Sequence, residues 1–324
     1  MHEFKDKVAF ITGGASGVGF GQAQIFSEAG CKVVIADIRG DHLEEALSHF
    51  KNTGAQVHGI KLDVTDREAF ENAALETTRV FGAPPELLLL TAGVNAFGPA
   101  EAATYEDFDW VVGVCLGGAI NGLVTFVPRM VKAGNGGHIG VTSSFGALSV
   151  APIIAPYAAA KGGVNAMMES YLLSLEPYGI GVSVLCPANV NSNIFESGKT
   201  RPEKLRNTGF NMTGETEAFL KSVHATGIEP RELARIFKEA IENDVFLVVP
   251  YANPDAIVHD VLARMADYTT PEGMKRVPET IRLFNEKHRA AIEGETGEDP
   301  YQNAYPGFGK AREGVGWVAD EKKL

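Results

Sequence analysis

Tyr157 and Lys161 lie four residues apart, which sets both side chains on one face of a helix. An ammonium group beside a phenol favours the phenolate. It should therefore lower the pKa of a group that otherwise titrates near ~10 and make it a usable proton acceptor at neutral pH. Ser144 follows the β-branched run His138 to Val141, where a hydroxyl can hydrogen-bond and polarise a substrate oxygen. Together the three residues suit proton transfer at an alcohol or carbonyl oxygen. Taken alone, a Tyr-x-x-x-Lys pair is as readily an exposed helix face, so the reading depends on what accompanies it.

What accompanies it is a glycine-rich turn, Thr12-Gly13-Gly14-Ala15-Ser16-Gly17-Val18-Gly19, between an apolar strand and a helix. Glycines there let the backbone turn sharply and approach a pyrophosphate, and the helix N-terminus offers free N–H groups to an anion. Gly13, Ser16, Gly17, Val18 and Gly19 are thus expected cofactor contacts. Asp37 ends the next apolar run, in the position where a carboxylate accepts hydrogen bonds from the adenosine ribose and repels a 2′-phosphate. This favours NAD over NADP despite the nearby Arg39, with Ile38 beside the acid. Asp63 and Val64, after a third strand, are expected against the adenine, although a plain turn explains Asp63 equally well.

Stepping outward, seven short runs read as strands: Val8 to Ile11, Lys32 to Ala36, Val57 to Leu62, Leu87 to Leu90, His138 to Val141, Gly181 to Leu185 and Val245 to Val249. Helical stretches alternate with them at Phe20 to Ala29, Asp41 to Lys51, Asp66 to Phe81, Tyr105 to Lys132, Tyr157 to Tyr178 and Arg231 to Glu242. The rhythm predicts an α/β fold: a doubly wound, mainly parallel Rossmann-type sheet of about seven strands with its ligands at the carboxyl ends. Residues 1–250 form the expected catalytic domain, including a polar lid at about 189–228 with a helical candidate from Glu215 to His224. Residues 251–324 form an appended C-terminal tail, with helical candidates at Asp255 to Asp267 and Pro278 to Glu293. Beyond these, an aromatic-anchored arm is expected over Thr296 to Gly316.

A formal net charge of −12 argues against a nucleic-acid partner. Three scattered cysteines, Cys31, Cys115 and Cys186, suggest neither disulfides nor a metal site and fit a reducing cytoplasm. The N-terminus lacks a signal-peptide pattern. The near-apolar stretch Trp110 to Val127 is broken by glycines and Asn121 and reads as a buried helix rather than a membrane span. A small-molecule ligand is the expected partner.

In this order the motifs resemble the short-chain dehydrogenase/reductase family from Lys5 to about Pro250. The resemblance assigns Gly13, Gly17 and Gly19 to the family's TGxxxGxG loop and Asp37 to its NAD-selecting acid. It makes Ser144, Tyr157 and Lys161 catalytic, with Ser143 the weaker alternative to Ser144. It implies that Tyr157 transfers the alcohol proton, that Lys161 also holds the nicotinamide ribose, and that hydride passes between substrate carbon and nicotinamide. It adds Ala92, Gly93, Pro187, Val190 and Ser192 as cofactor contacts and implies a homodimer or homotetramer. Three positions depart from the family pattern. Thr91 stands for the asparagine of Asn-Ala-Gly, Cys115 for a helix asparagine of the proton relay, and Pro187-Ala188 for Pro-Gly. The stretches around Gly13 to Gly21, Ala36 to Leu43 and Phe195 to Phe210 are similar to bacterial Cα-dehydrogenases of lignin-derived aryl-ether dimers, implying a benzylic alcohol. Phe97, Phe145, Ile153, Phe195 and Phe210 are candidates for an apolar substrate pocket. A dehydrogenase of another hydrophobic alcohol such as a steroid, a cofactor-binding sensor or scaffold with weakened turnover, and a dehydratase or epimerase are the competing readings.

Overall fold

The computed structural model describes residues 1–98, 100–151, 153–206, 210, 221 and 224–271. Its strands are β1 (Val8–Thr12), β2 (Lys32–Asp37), β3 (Val57–Lys61), β4 (Leu87–Leu90), β5 (Gly137–Thr142), β6 (Ile180–Leu185) and β7 (Leu247–Val248). They form one sheet in the order β3-β2-β1-β4-β5-β6-β7, with every neighbouring pair parallel. Near-continuous apolar runs such as β1 and β4, buried along their whole length, are what a sheet covered on both faces requires.

The helices are α1 (Gly17–Glu28), α2 (Gly40–Phe50), α3 (Arg67–Phe81), α4 (Tyr105–Val112), α5 (Gly118–Ala133), α6 (Ala155–Leu175), α7 (Pro230–Glu242) and α8 (Pro254–Asp267). Two apolar layers result. One packs Phe70, Leu123, Phe126, Val164 and Met168 of α3, α5 and α6 against the sheet; the other packs Phe26, Phe50, Leu233 and Phe237 of α1, α2 and α7. Gly21 lets α1 meet α7 closely, since a Cβ there would lie 2.4 Å from the Pro230 carbonyl oxygen.

The expected single helix over Tyr105 to Lys132 contains a π-helical turn at Gly113–Gly117, which periodicity alone does not reveal. The segment Tyr105–Ala133 is long and apolar enough to cross a membrane, yet half of its apolar window is buried against the protein. Asn121 lies within it and donates to the Val64 carbonyl at 2.9 Å. Residues 189–206 carry short 3₁₀ turns, Ile194–Thr200 and Glu203–Leu205. Helix α8 matches the first helical expectation in the tail. The helical candidate Pro278 to Glu293 and the arm over Thr296 to Gly316 lie outside the described residues, as does most of Glu215 to His224.

Candidate active site

The chain reverses direction across the sheet between β1 and β4, where a crevice opens at the carboxyl ends of the strands. A cavity of about 1250 Å³ occupies it, larger than a single drug-sized ligand needs. Every residue expected to touch a cofactor or to carry catalysis lines this cavity: Gly13, Ser16, Gly17, Val18, Gly19, Asp37, Ile38, Asp63, Val64, Ala92, Gly93, Ser144, Tyr157, Lys161, Pro187, Val190 and Ser192.

At one end the wall is main chain. Gly13 and Gly17 have φ of +63° and +49°, a region that side chains resist. A Cβ on Gly19 would lie 2.2 Å from the Gly13 carbonyl oxygen, so the turn closes only on glycine. Ser16 leads into α1 without a side-chain capping bond. The first-turn N–H groups and the positive end of the helix dipole therefore suit a phosphate. Asp37 accepts from the Ala15 amide at 3.2 Å and the Arg39 amide at 3.0 Å, while burial pushes its carboxyl above the ordinary range. Arg39 turns onto Asp41, its Nε donating at 2.8 Å, and so has its charge partnered away from a 2′-phosphate. Asp63 accepts from the Thr65 amide and hydroxyl, so its turn role is real even though it borders the cavity. A narrow glycine turn, an open helix end and a carboxylate at the end of β2 fit an NAD-shaped ligand.

Ser144, Tyr157 and Lys161 meet at the centre. The Ser144 hydroxyl lies near enough to Tyr157 to favour its ionised form and accepts from the Gly146 amide at 3.0 Å; Ser143 instead points to the Lys161 carbonyl. Lys161 is buried, with Nζ donating to the Thr142 carbonyl at 2.7 Å and lying 5.6 Å from the Tyr157 ring centroid. The expected lowering of the Tyr157 pKa is corrected by this geometry: burial raises it well above the ordinary tyrosine value, and the neighbouring Ser144 hydroxyl only partly offsets that. The lysine ammonium is aimed at the Thr142 carbonyl rather than the phenol.

The departures from the family pattern are absorbed locally. Thr91 donates to Gln22 Oε1 at 2.7 Å and meets the Thr142 hydroxyl at 2.9 Å, while its amide and that of Ala92 donate to Thr12 Oγ1. Cys115 sits in the π turn, its thiol donating to the Val94 carbonyl at 3.1 Å and accepting from the Val94 amide at 3.4 Å. In place of Pro-Gly, the Ala188 and Asn189 amides donate to the Tyr251 hydroxyl, a support that gave no sequence signal because it comes from 63 residues away.

The other end is built from side chains. Phe97 and Phe145 line the cavity as expected, joined by Trp110, Ile154 and Leu205. Ile153, Phe195 and Phe210 are buried behind that wall, in one cluster with Phe97, Trp110 and Tyr157, so they support the pocket rather than face it. Arg201 and Asp107 form a buried ion pair at 2.7 Å, with the guanidinium 4.9 Å from the Trp110 ring, tying residues 194–205 to α4. Asp107 divides its oxygens, one to Arg201 and one to the Thr104 amide and hydroxyl at the start of α4. Asn95 and His224 also border this end. Among the described residues no group of His, Cys, Asp and Glu could hold a metal ion.

The short chain dehydrogenase family model matches residues 7–203, more than half of the chain. The chain is 45% identical to the Cα-dehydrogenase of Sphingobium over 304 residues, 91% of this chain and 99% of that protein. The apo structure of LigD from Sphingobium is 42% identical and superposes with a TM-score of 0.69, covering 83% of this chain and all of the other. A short-chain dehydrogenase/reductase of Burkholderia phymatum in complex with NAD is 31% identical with a TM-score of 0.76, covering 83% of this chain and 96% of the other. The chain therefore belongs to the short-chain dehydrogenase family and is an oxidoreductase of its doubly wound Rossmann type.

Proposed function

We propose that the protein oxidises a benzylic secondary alcohol to an aryl ketone, using NAD. The observation that carries this reading is the set of groups that line one cavity: the glycine turn and Asp37, the trio Ser144, Tyr157 and Lys161, and the aromatic Phe97, Trp110 and Phe145. The Cα-dehydrogenase name of the Sphingobium relative supports dehydrogenation at a carbinol carbon, and the aromatic wall supports an aryl group beside it.

In this reading the Tyr157 oxygen takes the alcohol proton, while Ser144 holds the same substrate oxygen as its charge grows. Lys161 lends positive charge nearby, and its grip on the Thr142 carbonyl fixes where that charge sits. NAD, when bound, supplies the acceptor for the hydride that leaves the carbinol carbon. Phe97, Trp110 and Phe145 exclude water and align the aryl group. Residues 189–228 act as the lid, residues 1–250 as the catalytic unit and residues 251–324 as an extension.

Three buried free thiols fit a reducing cytoplasm. Exposed Ile120 and Val124 on α5 and Leu173 on α6 favour a homodimer or homotetramer through those helices. The test is NADH formation with α-methylbenzyl alcohol and larger aryl carbinols. Absence of turnover with all of them, or better kcat/KM with NADP, rejects the proposal.

A further inference from the structure

Asn95 is 8% exposed and borders the substrate end of the cavity, yet its side-chain oxygen is buried with no hydrogen-bond partner among the described residues. An asparagine between Val94 and Phe97, both of which belong to an apolar cluster with Trp110 and Tyr157, is a poor choice for packing, because an unmet amide oxygen in a buried setting destabilises the fold. Its position is nevertheless held. The Asn95 amide donates to Ser197 Oγ at 3.1 Å, and the preceding residue, Val94, is fixed in both directions by the Cys115 thiol. The loop is thus braced on both sides while the side-chain oxygen of Asn95 has no partner among the described residues.

The location gives the unmet group a use. A Cβ built on Gly93 would lie 3.5 Å from Lys161 Nζ, and Asn95 follows Gly93 by two residues, a span of at most about 7 Å, so Asn95 sits on the stretch of loop that passes the catalytic lysine and lines the same cavity. We infer that Asn95 is a specificity residue that binds a second hydroxyl of the substrate, on a carbon close to the carbinol being oxidised. A hydroxyl both donates and accepts, so it satisfies the carboxamide whichever of its ends faces the cavity. A site built to hydrogen-bond a substrate hydroxyl discriminates strongly against the analogue that lacks it.

This inference rests on the alcohol-oxidation reading, and the experiment separates the two. α-Methylbenzyl alcohol and styrene glycol share the benzylic carbinol and differ by one hydroxyl on the adjacent carbon. The wild-type enzyme is expected to favour styrene glycol by about tenfold or more in kcat/KM. Asn95→Leu, similar in size but without polar ends, is expected to bring that ratio close to one, mainly by losing activity on the diol, with a melting temperature equal to or above wild type. Should that variant fail to fold, Asn95→Ala reads the same ratio. A wild-type ratio near one, or a variant that loses both substrates in equal proportion with a lowered melting temperature, overturns the inference and makes Asn95 structural. A wild-type enzyme that oxidises neither alcohol nor any larger carbinol overturns the underlying reading instead, and this one with it.

Discussion

The two ends of the cavity are built by different means. The end proposed for NAD is shaped by main chain: two positive-φ glycines, a third glycine against a carbonyl, a helix terminus, and Asp37 held by two amides. The substrate end is shaped by side chains that meet from distant parts of the chain, as Arg201 meets Asp107 across 94 residues and Asn95 meets Ser197 across 102. Main-chain geometry tolerates few residues and serves a ligand part that does not vary. Side-chain walls can change one residue at a time without disturbing the strands, which is how one fold comes to serve many alcohols.

The largest expected effect falls where the two ends join. Tyr157→Phe removes only an oxygen, so kcat should fall by about 10³-fold or more, while NAD binding, read by fluorescence titration, changes little. Comparable activity in that variant breaks the assignment. Because burial raises the Tyr157 pKa, the phenol is protonated at neutral pH in the unliganded protein. Oxidation in wild type should therefore accelerate as pH rises, and a flat alkaline profile would assign the proton to another group.

Next comes the buried ion pair of the substrate end. Removing one partner of such a pair costs about 3–5 kcal/mol locally, because the other charge is stranded. Arg201→Ala leaves Asp107 with its bonds to Thr104 and should loosen residues 194–205 from α4. The expected result is an aryl alcohol KM raised about 10- to 100-fold with NAD affinity within about twofold of wild type. Equal damage to both ligands would show that the two ends are one mechanical unit rather than two independently built ones.

The same contrast explains what was legible in the sequence. The glycine turn, the acid at the end of β2 and the Tyr157–Lys161 spacing are local patterns, and local backbone demands leave local marks; each lines the cavity where expected. The strands were readable because they are short apolar runs between turn residues. Illegible were the partnerships set by tertiary distance: Tyr251 under the Ala188 amide, Arg201 against Asp107, and the burial of Ile153, Phe195 and Phe210 behind rather than in the wall. The π turn was hidden because glycines fit any helix register. The direction of the Tyr157 shift is not legible because spacing places a lysine nearby but does not say where its ammonium points or how deep the phenol lies. Asn95 did leave a signal, an amide two residues past Thr91-Ala92-Gly93, but nothing in sequence says that it is unpartnered.

A smaller effect tests the NAD end. A hydrogen bond to a charged group contributes about 1.5–3 kcal/mol, so Asp37→Ala should lower kcat/KM for NAD about 10- to 100-fold and narrow the preference over NADP. The alcohol KM at saturating NAD should hardly move. An unchanged cofactor preference would mean that Asp37 only braces Ala15 and Arg39.

The smallest effect lies at the opposite end of the sheet, at the start of β5, and should touch neither ligand. His138 is fully buried; its Nε2 donates to Ser183 Oγ at 2.8 Å, because that hydroxyl already donates to the Val245 carbonyl. Its Nδ1 has no partner among the described residues, and burial, aided by the N-terminal amine, pulls the imidazole down to about 3, against a smaller opposing pull from Asp244. The folded protein thus keeps His138 neutral where the unfolded chain, titrating near 6.5, already takes up a proton. Stability from this group is complete above about pH 7 and is lost progressively as pH falls from there toward 3. Between pH 7 and 6 the loss is under about 1 kcal/mol, or roughly 2 °C in melting temperature. His138→Gln can still donate to Ser183 but does not titrate, so its melting temperature should fall less than wild type over that interval, with cofactor and alcohol constants unchanged. Parallel melting curves for the two proteins would mean that His138 takes up its proton over the same pH range in the fold as in the unfolded chain and that the acid sensitivity arises elsewhere. A shift in NAD affinity would mean that the two ends of the sheet are coupled.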